Sequence, residues 1–353
     1  MRISAKTKIA LLFLAVACFI GVVTSLIANS LITNQIIFEA QERVKEHLST
    51  AGWVYASKIR DIDRTVYWTS IRHVLKNGIK QKNVSFLRDE LQGLIAEEGL
   101  DFLTLVDRKG TVVFRFHNHE VSGDSLSEDP FIKRSLEGKG ISGTQIVSRQ
   151  ELLKDGKEFA NKALFQLIPT PKEKPTEKLE ESSGMVLKAA HPVIDFNGTL
   201  LGALVGGSLL NRNYEIVDRI KNIVFKDAKY RGKEIGTATI FLSDMRISTN
   251  VMDREGNRAI GTRAMKEVHE EVFEKGKPWV QRAFVVDEWY ITAYEPIRDI
   301  KGQIVGMLYV GMLESKYALM KERIILLFFL FSLSGMLIAL AISFFLSWRI
   351  LKR

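Results

Sequence analysis

Arg115 and His117 stand two residues apart in the run Val112-Val113-Phe114-Arg115-Phe116-His117. In a strand that spacing puts both side chains on one face. Val112, Phe114 and Phe116 then take the other. Arginine offers a planar fork that matches a carboxylate, and histidine can donate a second hydrogen bond. Lys188, on a strand leading into His191-Pro192, adds a third donor if it faces the same cavity. The set suits a small anionic ligand, a carboxylate first of all. The alternative is a polar strand that faces solvent or a second subunit.

A second set lies further along. Asp244 and Arg246 flank Met245 at a turn, and Arg263 follows Gly261-Thr262. With Trp289 or Tyr294 as a wall, these residues make a second candidate anion pocket. The bland alternative is an Asp–Arg pair that fixes the turn. Other patterns carry less. His117-x-His119 lacks an acidic or cysteine partner at metal-ligand spacing, and His269-Glu270 lacks the second histidine of a zinc protease motif. Gly138-Lys139-Gly140-Ile141-Ser142-Gly143 spells a dinucleotide fingerprint, but it follows a helix and precedes a strand, the reverse of the required order. No nucleophile stands with a base. No catalytic residue, metal or cofactor is expected.

The elements that must position these residues come in two copies. Pro192, Asp195, Gly198, Gly202, Leu204 and Leu209 recur 104 residues later as Pro296, Asp299, Gly302, Gly306, Leu308 and Leu313. A fixed offset without a gap marks an internal repeat. Each copy reads strand–strand–helix–strand–strand–strand, an antiparallel sheet with helices on a face. Phe102 to Val106 and Thr111 to Phe116 flank an Asp-Arg-Lys-Gly turn, and Asp129-Pro130 opens a short helix that Gly138 ends. Thr170 to Ser183, rich in Pro, Lys, Glu and Ser, reads as a mobile excursion between strands. Met265 to Lys275 is the matching helix of the second copy.

Ahead of both copies, Ala40, Val44, Leu48, Ala51, Tyr55, Ile59, Ile62 and Val66 step by four or three residues, an apolar seam along a helix from Asn34 to about Val74. That seam needs a cover: the first sheet, the same helix of a second subunit near the membrane, or both. Asn77-Gly78 is expected to break this helix, and Ser85 to Glu98 to form a shorter one with Phe86, Leu91, Leu94 and Ile95 on its apolar side.

Two apolar stretches bracket the whole. Ile9 to Leu31 is almost free of charge, and Ile324 to Trp348 has none. Each exceeds the roughly 20 helical residues that cross a bilayer. Basic residues at Arg2, Lys6, Lys8, Arg349, Lys352 and Arg353 put both ends in the cytoplasm and the rest outside that membrane. A cleaved signal peptide, or lipid attachment at Ala15-Val16-Ala17-Cys18, is the alternative for the first stretch. Thr24, Ser25, Asn29 and Ser30 in one span and Ser332, Ser334, Gly335 and Ser343 in the other suit helix–helix contacts in a dimer's four-span bundle. Cys18 is the lone cysteine, so the outer region cannot rely on disulfides. The net charge of +9 is spread along 353 residues without an aromatic-laced basic cluster, which argues against nucleic acid.

With these residues in view, the chain resembles the double Cache (fused type) extracytoplasmic sensor region of bacterial histidine kinases and methyl-accepting chemotaxis receptors. The resemblance rests on Gly123-Asp124-Ser125, on His191-Pro192-Val193 with Gly198 and Gly202, and above all on the run from Thr239 to Asn250 followed by Arg258-Ala259-Ile260-Gly261-Thr262. Gly276-Lys277 and Tyr290-Ile291-Thr292-Ala293-Tyr294-Glu295-Pro296 complete it, and it covers roughly Asn34 to Lys316. It implies an α+β fold of two tandem PAS-like modules on a long N-terminal helix flanked by two transmembrane helices. It also implies a small-molecule pocket in the membrane-distal module, a homodimer, and a signal passed through the second span without catalysis. The expected divisions are a cytoplasmic start at 1–8, a span at 9–33 and the signalling helices at 34–98. The distal module follows at 99–212, the proximal module at 213–322, the second span at 323–348 and the start of a cytoplasmic linker at 349–353. In the family a HAMP linker and an output module come next. The sequence ends at Arg353, so the expectation is either the input half of a longer protein, such as a sensor kinase, or a chain that acts through a separate partner. A membrane-anchored platform for a partner protein is the reading from another class.

Overall fold

A computed structural model describes residues 5–81, 83, 86–87, 98–226, 228–230 and 232–350. Two compact bodies make up the chain, residues 44–312 and the pair of segments 1–43 and 313–353. One helix, α1 (Ala5–Ser70), begins in the second of these and continues into the first. The expected short helix Ser85 to Glu98 lies mostly outside the described residues.

In the body formed by the two ends, the start of α1 lies beside the C-terminal helix Glu314–Ile350. Gly21, Ser25, Ser332 and Leu333 line a cleft between them, and Cys18 Sγ lies 3.5 Å from Met336 Sδ. A Cβ on Gly21 would stand 3.3 Å from Ser332 Oγ, so a small residue lets the helices approach. Thr24 and Ser334 instead donate to carbonyls of their own helices, Ile20 and Phe331, each at 2.8 Å. Among the described residues these two helices are long and apolar enough to cross a membrane.

The larger body holds two five-stranded antiparallel sheets. After α2 (His73–Gln81), sheet I contains β1 (Phe102–Asp107), β2 (Val112–Arg115), β3 (Ile141–Val147), β4 (Gly184–Ile194) and β5 (Leu200–Leu209) in the order β2-β1-β5-β4-β3. Helix α3 (Pro130–Leu136) precedes β3, and α4 (Arg149–Asp155) and α5 (Lys157–Lys162) follow it. Helix α6 (Glu215–Phe225) leads to sheet II. Its strands are β6 (Gly236–Leu242), β7 (Met245–Thr249), β8 (Trp279–Val285), β9 (Glu288–Arg298) and β10 (Ile304–Leu313), in the order β7-β6-β10-β9-β8. Helix α7 (Lys266–Val268) runs straight into a π-helical turn, His269–Glu274.

The strand orders are the same, and the 104-residue offset holds in the details. Asp195 accepts hydrogen bonds from the N–H groups of Asn197 and Thr199, and Asp299 from those of Lys301 and Gln303. Gly198 and Gly302 both have φ +81°, a left-handed conformation glycine adopts at little cost. A Cβ on Gly202 would run into the carbonyl oxygen of Val106, and one on Gly306 into that of Phe241. Beside each glycine the ladder shifts register, between Leu105 and Val106 and between Ile240 and Phe241. The repeated glycines thus admit a bulged neighbour at close backbone approach.

The seam of α1 from Val44 to Val66 is buried apart from a half-buried Ile59. It lies across both sheets. Tyr55 Oη shares a 2.8 Å hydrogen bond with Thr144 Oγ1 of β3, Val66 packs near Gly206, and His47 meets Phe225 edge-on at 5.0 Å. Lys58 donates to Glu215 at 2.8 Å, and His191 Nε2 lies 2.9 Å from Asp63. The cover for this stretch of seam therefore comes from the chain itself.

Two expectations about connections change. The break in the helix falls at Ile71 and Arg72, while Asn77-Gly78 lies inside α2, where Leu87 presses on Gly78 and leaves no room for a side chain. The excursion after α5 does not hang free. Phe165–Gln166 pairs with Glu180–Glu181, and the chain between crosses onto the second half, where Ile168 bridges Thr262, Glu173 bridges Met265, and the Lys266 N–H donates to the Lys172 carbonyl at 2.8 Å.

Candidate functional site

Arg115 and Lys188 meet on one face of sheet I. They line a partly enclosed cavity of about 50 Å³ with Thr104, Gln145, Asp129, Asp155 and Lys154, over an apolar floor that includes Phe102 and Val205. By the measure in which one water takes about 10–15 Å³, that is room for a few heavy atoms. Strands β2 and β4 deliver the two cations. Helix α3 delivers Asp129 as its N-cap, whose Oδ1 accepts from the N–H groups of Phe131 and Ile132. Helix α4 delivers Lys154 and Asp155. It is capped by Ser148 and Glu151 reciprocally.

Neither cation waits for a partner. Arg115, 3 % exposed, donates from Nη1 and Nη2 to Asp124 at 2.6 and 2.9 Å, from Nε to Asp155 at 3.1 Å, and from Nη1 to the Val121 carbonyl at 3.0 Å. Lys188 donates to Asp129 at 2.6 Å and to Gln145 at 2.9 Å, above the ring of Phe131. Lys154 adds a 3.1 Å bond to Asp124. Hydrogen bonds from Arg115, against some burial, bring the Asp124 carboxyl down to about 2. Burial pushes Asp155 the other way, and the pull of Arg115 does not fully offset it. Burial also opposes ionisation of Asp129, but the Lys188 charge together with hydrogen bonds from Lys188, Gln145 and the Ile132 N–H holds that carboxyl below its ordinary value. The cavity is therefore close to charge-balanced, with alternating donors and acceptors.

His117 does not join this group. Strand β2 ends at Arg115, so the alternation assumed from the spacing stops before His117. Its ring turns outward, 3.5 Å from Glu158 and 5.0 Å from the Phe159 ring. His119 stacks on Phe114 and its Nδ1 sits 2.9 Å from the Arg115 carbonyl, so the two histidines diverge. Among the described residues no cluster of three or more His, Cys, Asp or Glu is placed to hold a metal ion. The acids around Arg115 were not singled out from the sequence. Asp124 lay within the Gly-Asp-Ser motif, and Asp129 read as a cap alone.

Sheet II rearranges the second set. Asp244 pairs with Arg263, not with Arg246: Nε and Nη2 of Arg263 donate to its two oxygens at 3.1 and 2.7 Å. His269 Nδ1 lies 2.8 Å from the same carboxylate. Burial opposes the Asp244 charge, yet the bonds from His269 and Arg263 hold its carboxyl below the usual range. Trp289 is no wall of this group, since its ring lies under Lys172 at 4.6 Å and Arg282 at 4.0 Å. Arg246 is wholly buried, 4.9 Å from the Phe241 ring. Its Nη1 donates to Thr262 Oγ1 and to the Arg263 carbonyl, each at 3.0 Å.

A family model described as Single Cache domain 3 matches residues 208–324, which takes in sheet II and leaves almost all of sheet I outside. No curated protein sequence matches the chain. Among solved structures, the periplasmic domain of Vibrio cholerae LuxQ is similar at 12% identity, covering 76% of this chain and 99% of that one, with a TM-score of 0.45. The sensor domain of the V. cholerae histidine kinase DctB is similar at 10% identity over 81% and 98% of the two chains, TM-score 0.40. The E. coli DcuS sensor domain is similar at 11% identity over 48% and 96%, TM-score 0.31.

Proposed function

We propose that this chain is the extracytoplasmic input region of a membrane-bound signalling receptor, built from two Cache modules and without catalysis of its own. A small molecule binds in the sheet I cavity, and the signal passes through the C-terminal helix to an output domain or a separate protein. The observation that carries the reading is the meeting of Arg115, Lys154 and Lys188 with Asp129, Glu151 and Asp155 around one small cavity, with Asp124 bonded to Arg115 and Lys154. A free carboxylate would have to displace an internal one. A molecule with an ammonium and a carboxylate can exchange with both halves of the network, so a small amino acid fits better than a simple anion.

The test is thermal unfolding of the full chain in lipid nanodiscs against small amino acids, carboxylates and amines. A ligand at a hundred times its dissociation constant adds about 2.7 kcal/mol of stability. The expected result is a saturable shift with an amino acid that Arg115→Ala abolishes. An unchanged affinity in that variant removes the site.

Dimerisation along α1 belongs to the same proposal. Trp53 and Trp68 stand 59 % and 56 % exposed on that helix, on a side the sheets do not cover, and a second copy of α1 would bury them. Trp53→Ser is expected to weaken the dimer in light scattering, and an unaltered mass would remove this interface.

A further inference from the structure

The seam of α1 has one gap in its cover, at the half-buried Ile59. Ile59 lines a cavity of about 340 Å³ together with Gly52 and Tyr55 of α1, Gly143 and Thr144 of β3, and Glu295 of β9. Residues 52, 55 and 59 step by three and four, so one face of the helix looks into the cavity. Among the described residues the Glu295 carboxylate has no hydrogen bond or ion pair, and burial alone, with no neighbouring cation or donor, pushes it above the usual range. The other charges on the cavity wall are engaged. Asp299 Oδ1 accepts from the N–H groups of Lys301 and Gln303, and Arg298 Nη1 donates to the Gly302 carbonyl at 2.9 Å. Gly52 makes room for the free carboxylate, since a Cβ there would stand 2.8 Å from Glu295 Oε1. Glycine inside a helix is less stable than alanine, so this position favours the approach of Glu295 over the stability of α1. The cavity is also a joint. Thr144 bridges Asp299, Tyr55 Oη is bonded to Thr144 Oγ1, and Ile300 of the β9–β10 turn sits where a Cβ on Gly143 would come within 2.7 Å of it. Helix α1, the edge strand of sheet I and a turn of sheet II therefore meet around Glu295.

We propose that this cavity is a second binding site, for a small primary alkylamine whose ammonium pairs with Glu295 and whose alkyl chain lies against Ile59 and Ile300. A half-buried carboxylate has lost part of its hydration and gains most from a charged donor. An ammonium brings three N–H donors and no acceptor. By the measure in which one water takes about 10–15 Å³, the cavity has room for several carbons beside the charged head. Asp299 on the same wall disfavours an acidic or zwitterionic ligand, whose own carboxylate would meet a like charge. The site is independent of the sheet I cavity. Its occupant touches the helix and both sheets, so it binds their present arrangement better than any in which they part, and it shifts the balance toward that arrangement.

The experiment titrates propylammonium chloride into the full chain in nanodiscs and reads unfolding temperature and hydrogen exchange. Sodium chloride at matched ionic strength and propan-1-ol are the references. Propylammonium is expected to raise the unfolding temperature saturably and to slow exchange in residues 52–59, 141–144 and 295–303, and neither reference should do so. Glu295→Gln, which keeps the shape and removes the charge, should bind it at least about tenfold more weakly. Without the amine, Glu295→Gln should be no less stable than wild type, because burial opposes the charge it removes. An equal response in Glu295→Gln, or an equal response to propan-1-ol, overturns the proposal. Protection confined to residues 115–136 and 149–155 would assign the amine to the sheet I cavity and overturns it as well. The absence of a saturable response in the wild type does the same, even if Glu295→Gln fails to fold.

Discussion

Asp129 serves two structures at once, and its substitution separates them. One oxygen caps α3, and the other holds Lys188. The side chains of the pair are 12 % and 9 % exposed, so solvent screens them little. Losing an N-cap costs about 1 kcal/mol. Breaking a buried ion pair by removing one partner costs about 3–5 kcal/mol. Asp129→Ala should therefore cost about 4–6 kcal/mol, a large share of the roughly 5–15 kcal/mol that stabilises a domain. Asp129→Asn keeps an equally good cap and a neutral acceptor for Lys188, so it should cost less by at least the 1 kcal/mol of the cap. Lys188→Met combined with Asp129→Asn should recover part of the sum, since neither change then strands a charge. The assay is hydrogen exchange in β3 and β4 of the full chain in mild detergent, at increasing urea. If Asp129→Ala costs under about 1 kcal/mol, the pair is not the buried link between α3 and β4 described above.

Four further outcomes follow from the same network and fold. Asp124 has a folded value of about 2 against an ordinary 3.8, so its contribution is complete above pH 4 and is lost as pH falls toward 2; Asp124→Asn should flatten that part of an acid-unfolding curve. Asp155 is raised instead, so its ionisation opposes folding at neutral pH, and Asp155→Asn should leave the unfolding temperature unchanged or higher where Asp124→Asn lowers it. Gly202→Ala and Gly306→Ala each drive a methyl into a facing carbonyl and should each cost about 3 kcal/mol in urea unfolding; a cost in one alone would mean that the two bulges are not equivalent. Tyr55→Phe removes the buried bond to Thr144 and should cost about 1 kcal/mol, read as faster exchange in β3.

Much of the fold was legible because its signals are local. The Asp-x-x-Gly turns at Asp195 and Asp299, the strands they join, the capped start of α3 and the apolar seam of α1 all follow from short-range pattern. The helices α4 and α5 were missed although Ser148 and Glu151 spell a capping box, because Gly156 cuts the run into two pieces too short to show a helical period. The site was half legible. Alternation placed Arg115 on the inner face, but no spacing rule reports that Asp124 and Asp155, 9 and 40 residues away, close around it. His117 failed because the strand ends two residues earlier. The second set failed differently. Arg246 and Arg263 are both buried near one turn, and only the tertiary structure decides which of them receives Asp244.

The measurement nearest the central claim is calorimetric titration of a small amino acid into the full chain. One amino acid should bind per chain, and that binding should be lost in Lys188→Met. No binding in the wild type, or equal affinity in Lys188→Met, would contradict a ligand site in the sheet I cavity.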